Sequence, residues 1–157
     1  MSPARMRSRV ITLCVIVIAS TSLSPAAHAA ESLYARIGGK GVVNVVVSET
    51  IDQVVADPRL NQSFHGSNIK RIKRLLAEQI CELAGGGCIY SGDSMREVHA
   101  GHHISEAQFY GLVEILRVSM RRHHVGLRER NELLALLAPM KRDIVEAAPP
   151  PARKSGP

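Results

Sequence analysis

The chain has 157 residues, a formal net charge of +6 and 45% hydrophobic residues, yet only 3% are aromatic and tryptophan is absent. Residues 1–29 hold three arginines and no acid, so the remainder carries only +3, too mild a balance to argue for a nucleic-acid partner. The remaining stretch of about 128 residues suits one domain, with a core of Leu, Ile, Val and Met rather than aromatic rings.

In chain order, the first element is a leader. Arg5, Arg7 and Arg9 make a positive start, "VITLCVIVIAS" (10–20) is apolar, and Ala27 and Ala29 stand in the small-x-small arrangement read by signal peptidase. The apolar run falls short of the ~20 residues a bilayer span requires, so cleavage after Ala29 is favoured over an uncleaved anchor. Cys14 lies at the front of that run rather than its end, which argues against a lipoprotein. The expectation is a periplasmic or secreted protein with no stable membrane insertion after cleavage.

Helical periodicity follows. "SLYARIGGKG" (32–41) reads as one helical turn stopped by Gly38 and Gly39. In "GVVNVVVSETIDQVVADP" (41–58), Val43, Val46, Val47, Ile51, Val54 and Val55 form an amphipathic stripe too long for a strand, ended by Pro58. "RLNQSFHGSN" (59–68) is a polar connector with one large apolar residue, Phe64. The next helix, 68–87, aligns Ile69, Ile72, Leu76, Ile80 and Leu83, with Asn68 as cap and three glycines as stop. Lys70, Arg71, Lys73 and Arg74 occupy its solvated side. Residues 85–105 carry too many glycines for a long helix but contain a short helical piece around Met95 to Ala100. Ser105 and Gln108 are spaced as a capping box for a helix over 105–120, and 129–147 continues with Leu133, Leu137, Met140 and Ile144, bent at Pro139. Residues 148–157 are Pro-rich and read as a disordered tail. The fold class expected is all-α.

Two features carry chemistry. Cys81 and Cys88 are the only cysteines beyond the leader, and in an exported protein a pair seven residues apart across a helix end favours a disulfide. "SMREVHAGHHIS" (94–105) holds His99, His102 and His103. His99 and His103 have an i,i+4 spacing that would suit zinc, but Gly101 interrupts the helix and no further ligand is evident. His102, His103, His123 and His124 read as solvated loop residues. His99 differs, being on the short helix one turn after Met95.

From Ser32 to about Val145 the order of "LYARIGG", "DPRLNQSF", "LAGGG", "YSGDSMREVHAG" and "ISEAQF" resembles the group I truncated haemoglobins. The resemblance implies a two-on-two helical sandwich around haem over residues 30–147, with His99 as proximal iron ligand. It places Phe64 against the porphyrin, and it puts Ile51 where relatives commonly carry a tyrosine that donates to oxygen. Ile72, Leu75 and Leu76 fall on the distal stretch where glutamine or histidine often stands, which leaves Gln79 as the only polar candidate. Tyr90 and Arg96 are candidates for the haem propionates. Met140 stands where some relatives attach haem covalently through histidine, and C-x-x-C-H is absent, so the implied cofactor is non-covalent haem b. The implied partners are haem and the diatomic gases oxygen, nitric oxide and carbon monoxide, with an unknown reductant. Nitric oxide dioxygenation or a peroxidase-like side activity would need that external reductant. An electron-transfer or gas-sensing haem module is the alternative, and a haem-free helical interaction domain would leave Phe64, His99 and the glycine pattern unexplained.

Overall fold

A computed structural model describes residues 31–146. The expected leader over 1–29 and tail over 148–157 lie outside the described residues.

Helix α1 (Leu33–Ile37) starts where the Ser32 hydroxyl accepts the Ala35 N–H at 3.2 Å. It stops at Gly38, whose φ of 113° lies in the left-handed region and where a Cβ would collide with Val42. Helix α2 (Gly39–Ala56) then buries Val43, Val46, Val47, Thr50, Ile51 and Val54 on one face. Its valines cost a little χ1 freedom in a helix, and burial of that stripe outweighs the cost. After Asp57, residues Asn61–Phe64 form a 3-10 turn inside what the sequence presents only as a connector.

Asn68 caps α3 (Ile69–Leu83), its side-chain oxygen accepting the Arg71 N–H at 3.0 Å. The chain leaves α3 through Gly85 and Gly86, and a Cβ on Gly86 would sit 2.6 Å from both the Cys81 sulfur and the Tyr34 ring. Cys81 and Cys88 are joined in a disulfide with Cα atoms 5.6 Å apart, tying the end of α3 to the loop that follows. Helix α4 (Met95–His99) opens on a reciprocal capping box between Ser94 and Glu97, and α5 (Glu106–Arg122) on a second between Ser105 and Gln108. The single bent helix expected over 129–147 is instead three pieces: α6 (Leu127–Leu137), a 3-10 turn Ala138–Met140 and α7 (Lys141–Ile144). Pro139 cannot donate to a helical bond, and the chain tightens around it rather than merely kinking.

The described residues contain only helices, turns and loops, as the periodicity requires. Helix α2 packs across both α3 and α5, α1 closes against α2 and α6, and α4 meets α7. One apolar cluster results, with Val47, Ile51, Ile80, Leu116, Met120 and Leu133 at its centre. Where α2 crosses α5, buried Thr50 and Ser119 both donate to the Val46 carbonyl, at 2.7 and 3.2 Å. His123 corrects the sequence reading. It is half-buried at the end of α5, its Nε2 2.8 Å from Glu49, rather than solvated in a loop. Hydrogen bonds from Arg122 first, then His123 and Ser119, hold the Glu49 carboxyl below the usual range against the opposing cost of burial.

Candidate functional site

Helix α3 is the first wall of the site. At 3.6 residues per turn, positions 72, 75, 76 and 79 fall within an arc of about 100°. Ile72 and Leu76 pack against the core cluster, as does Phe64 from the preceding 3-10 turn, while each keeps part of its surface outside it. Ile51 of α2 is only 1% exposed within the same cluster. The structure therefore gathers Ile51, Phe64, Ile72 and Leu76 around one apolar region. Leu75 is half-buried and stands outside the cluster.

Gln79 is buried on that face, and its amide Nε2 lies 3.6 Å from the Met140 sulfur, a weak acceptor. The polar candidate of α3 is thus turned toward the turn before α7. Among hydrogen-bonding side chains, none other than Gln79 occupies that arc of α3, so the wall is apolar as its sequence reads.

His99 stands apart, on the last turn of α4. Its Nδ1 is 2.7 Å from the Met95 carbonyl, and since a carbonyl only accepts, Nδ1 must carry the proton. That fixes Nε2 as the nitrogen with a lone pair; among the described residues it has no hydrogen-bond partner and is not fully buried. Burial lowers the His99 pKa, the bond to Met95 opposes the shift, and nearby His102 reinforces it. A neutral imidazole with one free nitrogen is the form a metal ion requires. Neighbouring His102 and His103 are exposed, and among the described residues no three His, Cys, Asp or Glu side chains converge as a metal site of their own.

The two polar residues proposed from sequence for an anionic group have partners within the chain. Tyr90 donates from its hydroxyl to the Asp93 carbonyl at 3.1 Å, and desolvation and then Asp93 raise its pKa. Arg96 pairs with Asp143 of α7 at 2.6 Å. Tyr90 remains near Arg71, which opposes the rise. The Arg96–Asp143 pair and the Gln79–Met140 contact join positions 47 and 61 residues apart, so no local pattern announces them. A shallow groove formed by Val45, Ser48, Asp52, Ala56 and His123 lies on the other face of α2, away from Ile51.

One neutral nitrogen donor and apolar side chains that include a half-buried phenylalanine are what a flat, mostly apolar metal complex needs from a protein. The donor set fits haem. Comparison with known proteins agrees. The Bacterial-like globin family model matches residues 32–146. The chain is 32% identical over 113 residues to Group 1 truncated hemoglobin GlbN of Mycolicibacterium paratuberculosis, covering 72% of this chain and 83% of that protein. It is 22% identical over 115 residues to the Group 1 truncated hemoglobin of Tetrahymena pyriformis, with 73% and 95% covered. The Fe(III) crystal structure of the Tetrahymena pyriformis protein superposes with a TM-score of 0.71 at 21% identity, over 74% of this chain and all of that one. The 2/2 hemoglobin of Synechococcus sp. PCC 7002, solved in the cyanomet state with covalently attached heme, gives 0.68 at 22% identity, with 73% and 98% covered.

Proposed function

Since the chain belongs to the bacterial-like globins, and among them to the group 1 truncated haemoglobins with their two-on-two fold, we propose that it binds diatomic gases reversibly at a haem held by His99. The family implies haem. When bound, haem would supply an iron that His99 could ligate and that could take up a gas. Residues of this chain do the rest. The Met95 carbonyl holds the His99 ring in one tautomer, so that Nε2 presents its lone pair with no proton to remove first. Phe64, Ile72 and Leu76 offer apolar surface that excludes water from the gas.

The observation that supports this reading is the His99–Met95 bond, which leaves one neutral imidazole nitrogen unshared on α4. With Met140 rather than histidine on the turn before α7, the haem is held without a covalent bond. Oxygen, nitric oxide and carbon monoxide are all candidates, and dioxygenase activity would draw on an external reductant. Export to the periplasm or beyond accords with the Cys81–Cys88 disulfide. Spectrophotometric titration of the reduced protein with oxygen and carbon monoxide is the test. Full recovery of a five-coordinate reduced spectrum on removing the gas supports it. A reduced protein already six-coordinate through its own side chain would instead favour an electron carrier.

A further inference from the structure

Helix α4 has five residues, too few to hold its own orientation. Its first turn is fixed by the Ser94–Glu97 capping box, with Ser94 Oγ 2.7 Å from a Glu97 oxygen. Its last turn has no such device. The chain leaves His99 through Ala100 into a loop where Gly101 has φ +77° and His103 has φ +51°. A non-glycine residue in that left-handed region stores about 1 kcal/mol or more of strain, so something must hold it there.

The holder is Glu146, which follows α7 in extended backbone. Its carboxylate accepts the Gly101 N–H at 2.7 Å and lies 2.8 Å from His103 Nδ1, while its own N–H donates to the Ile104 carbonyl at 3.0 Å. His102 in turn donates its N–H to the His99 carbonyl at 3.2 Å. Within α7, Asp143 grips Arg96 at 2.6 Å. One short C-terminal segment thus clasps α4 at its helix and at the loop beyond it. The charged pairs are largely exposed and contribute little to global stability. The position of their contacts matters more, because they bracket the residue that carries Nε2.

We propose that Glu146 is a positioning residue for the iron ligand: by holding Gly101 and His103 it fixes where α4 ends and how the His99 ring is presented to haem. The inference rests on the haem reading above. It assigns to the C-terminal segment a role in iron ligation without contact to haem.

Resonance Raman spectra of the reduced holoprotein, together with the rate of haemin transfer to a scavenging apoprotein, test it with three variants. Glu146→Ala should shift or broaden the iron–histidine stretching band and speed haemin transfer severalfold, less than the about tenfold or more expected on losing the ligand's own hydrogen-bond partner. Glu146→Gln, which still accepts the Gly101 N–H, should recover most of both. Glu132→Ala, which removes pairs with Arg36 and Arg128 instead, should leave the band in place. An unchanged band in Glu146→Ala overturns the proposal, whether or not haemin leaves faster. No Soret band in the unmodified protein overturns the haem reading itself.

Discussion

Under the proposed reading, His99 would hold the iron and Ile51 would face the gas. Removing the His99 ring leaves no other neutral, hydrogen-bond-oriented imidazole on α4, so His99→Ala should lose stable iron ligation, and His99→Gly should regain part of it with added imidazole. His102→Ala and His103→Ala should leave the Soret band nearly where it was, and a large change in either would move the ligand assignment. Under the proposed haem reading, Ile51 and the apolar arc of α3 would offer a bound gas no donor, since Gln79 faces Met140. A hydrogen bond to a polarised acceptor contributes roughly 1.5–3 kcal/mol, so Ile51→Tyr should slow oxygen release by about tenfold or more. Carbon monoxide gains far less from a donor and should respond weakly. Stopped-flow release of both gases measures the contrast. Slow oxygen release from the unmodified protein would mean that Gln79 leaves Met140 to act as donor. The helices that carry these residues were legible in the sequence. The spacing of isoleucines and leucines announces the apolar face of α3, while its assignment to the gas side rests on the family resemblance. The use of Gln79, Arg96 and Glu146 was hidden, because each is satisfied by an atom more than 40 residues away.

Individual elements show where local chemistry decides and where it does not. The capping boxes at Ser94 and Ser105 and the Asn68 cap stand where side-chain spacing puts them, since a cap is a contact over three residues. Pro139 marks a break correctly, but whether a proline bends a helix or resolves it into a 3-10 turn depends on what surrounds it. Likewise, nothing in "NQSF" separates a polar connector from the turn that sets Phe64 against the core. His123 reads as solvated because its partner Glu49 lies on another helix. The disulfide after α3 closes a short loop, and a short loop restrains the unfolded chain modestly, by about 2–3 kcal/mol. Reduction, or Cys81→Ser with Cys88→Ser, should lower the denaturant midpoint accordingly, measured by urea unfolding. Full labelling of both thiols without reductant would show that the bridge does not form. Gly86→Ala should cost more than the surface average, because its Cβ would meet both the Cys81 sulfur and the Tyr34 ring.

At the scale of the molecule, acid weakens the pairs that its carboxylates make. Asp57 accepts the Arg59 N–H at 2.9 Å and its guanidinium at 2.6 Å, which lowers its pKa from 3.8 to about 2. A depressed carboxylate stabilises the fold fully above its unfolded pKa and loses that contribution as pH falls through the folded value. Stability should therefore drop between about pH 4 and 2, and Asp57→Asn should flatten that part of the profile in urea unfolding followed by circular dichroism. Above that range the molecule is a helical frame with its donor on one short helix and its apolar wall on two long ones. The frame follows from periodicity, while the pairing of α4 with α7 is a tertiary fact.

The central claim is that this frame holds haem through His99. Titrating the apoprotein with haemin, reducing it and adding carbon monoxide, in the unmodified protein and in His99→Ala, measures that claim in one series. The unmodified protein should bind one haem per chain and show a five-coordinate reduced form and a sharp carbon monoxide Soret band, and His99→Ala should lose all three. Equal haem occupancy and the same Soret positions in both proteins would contradict it.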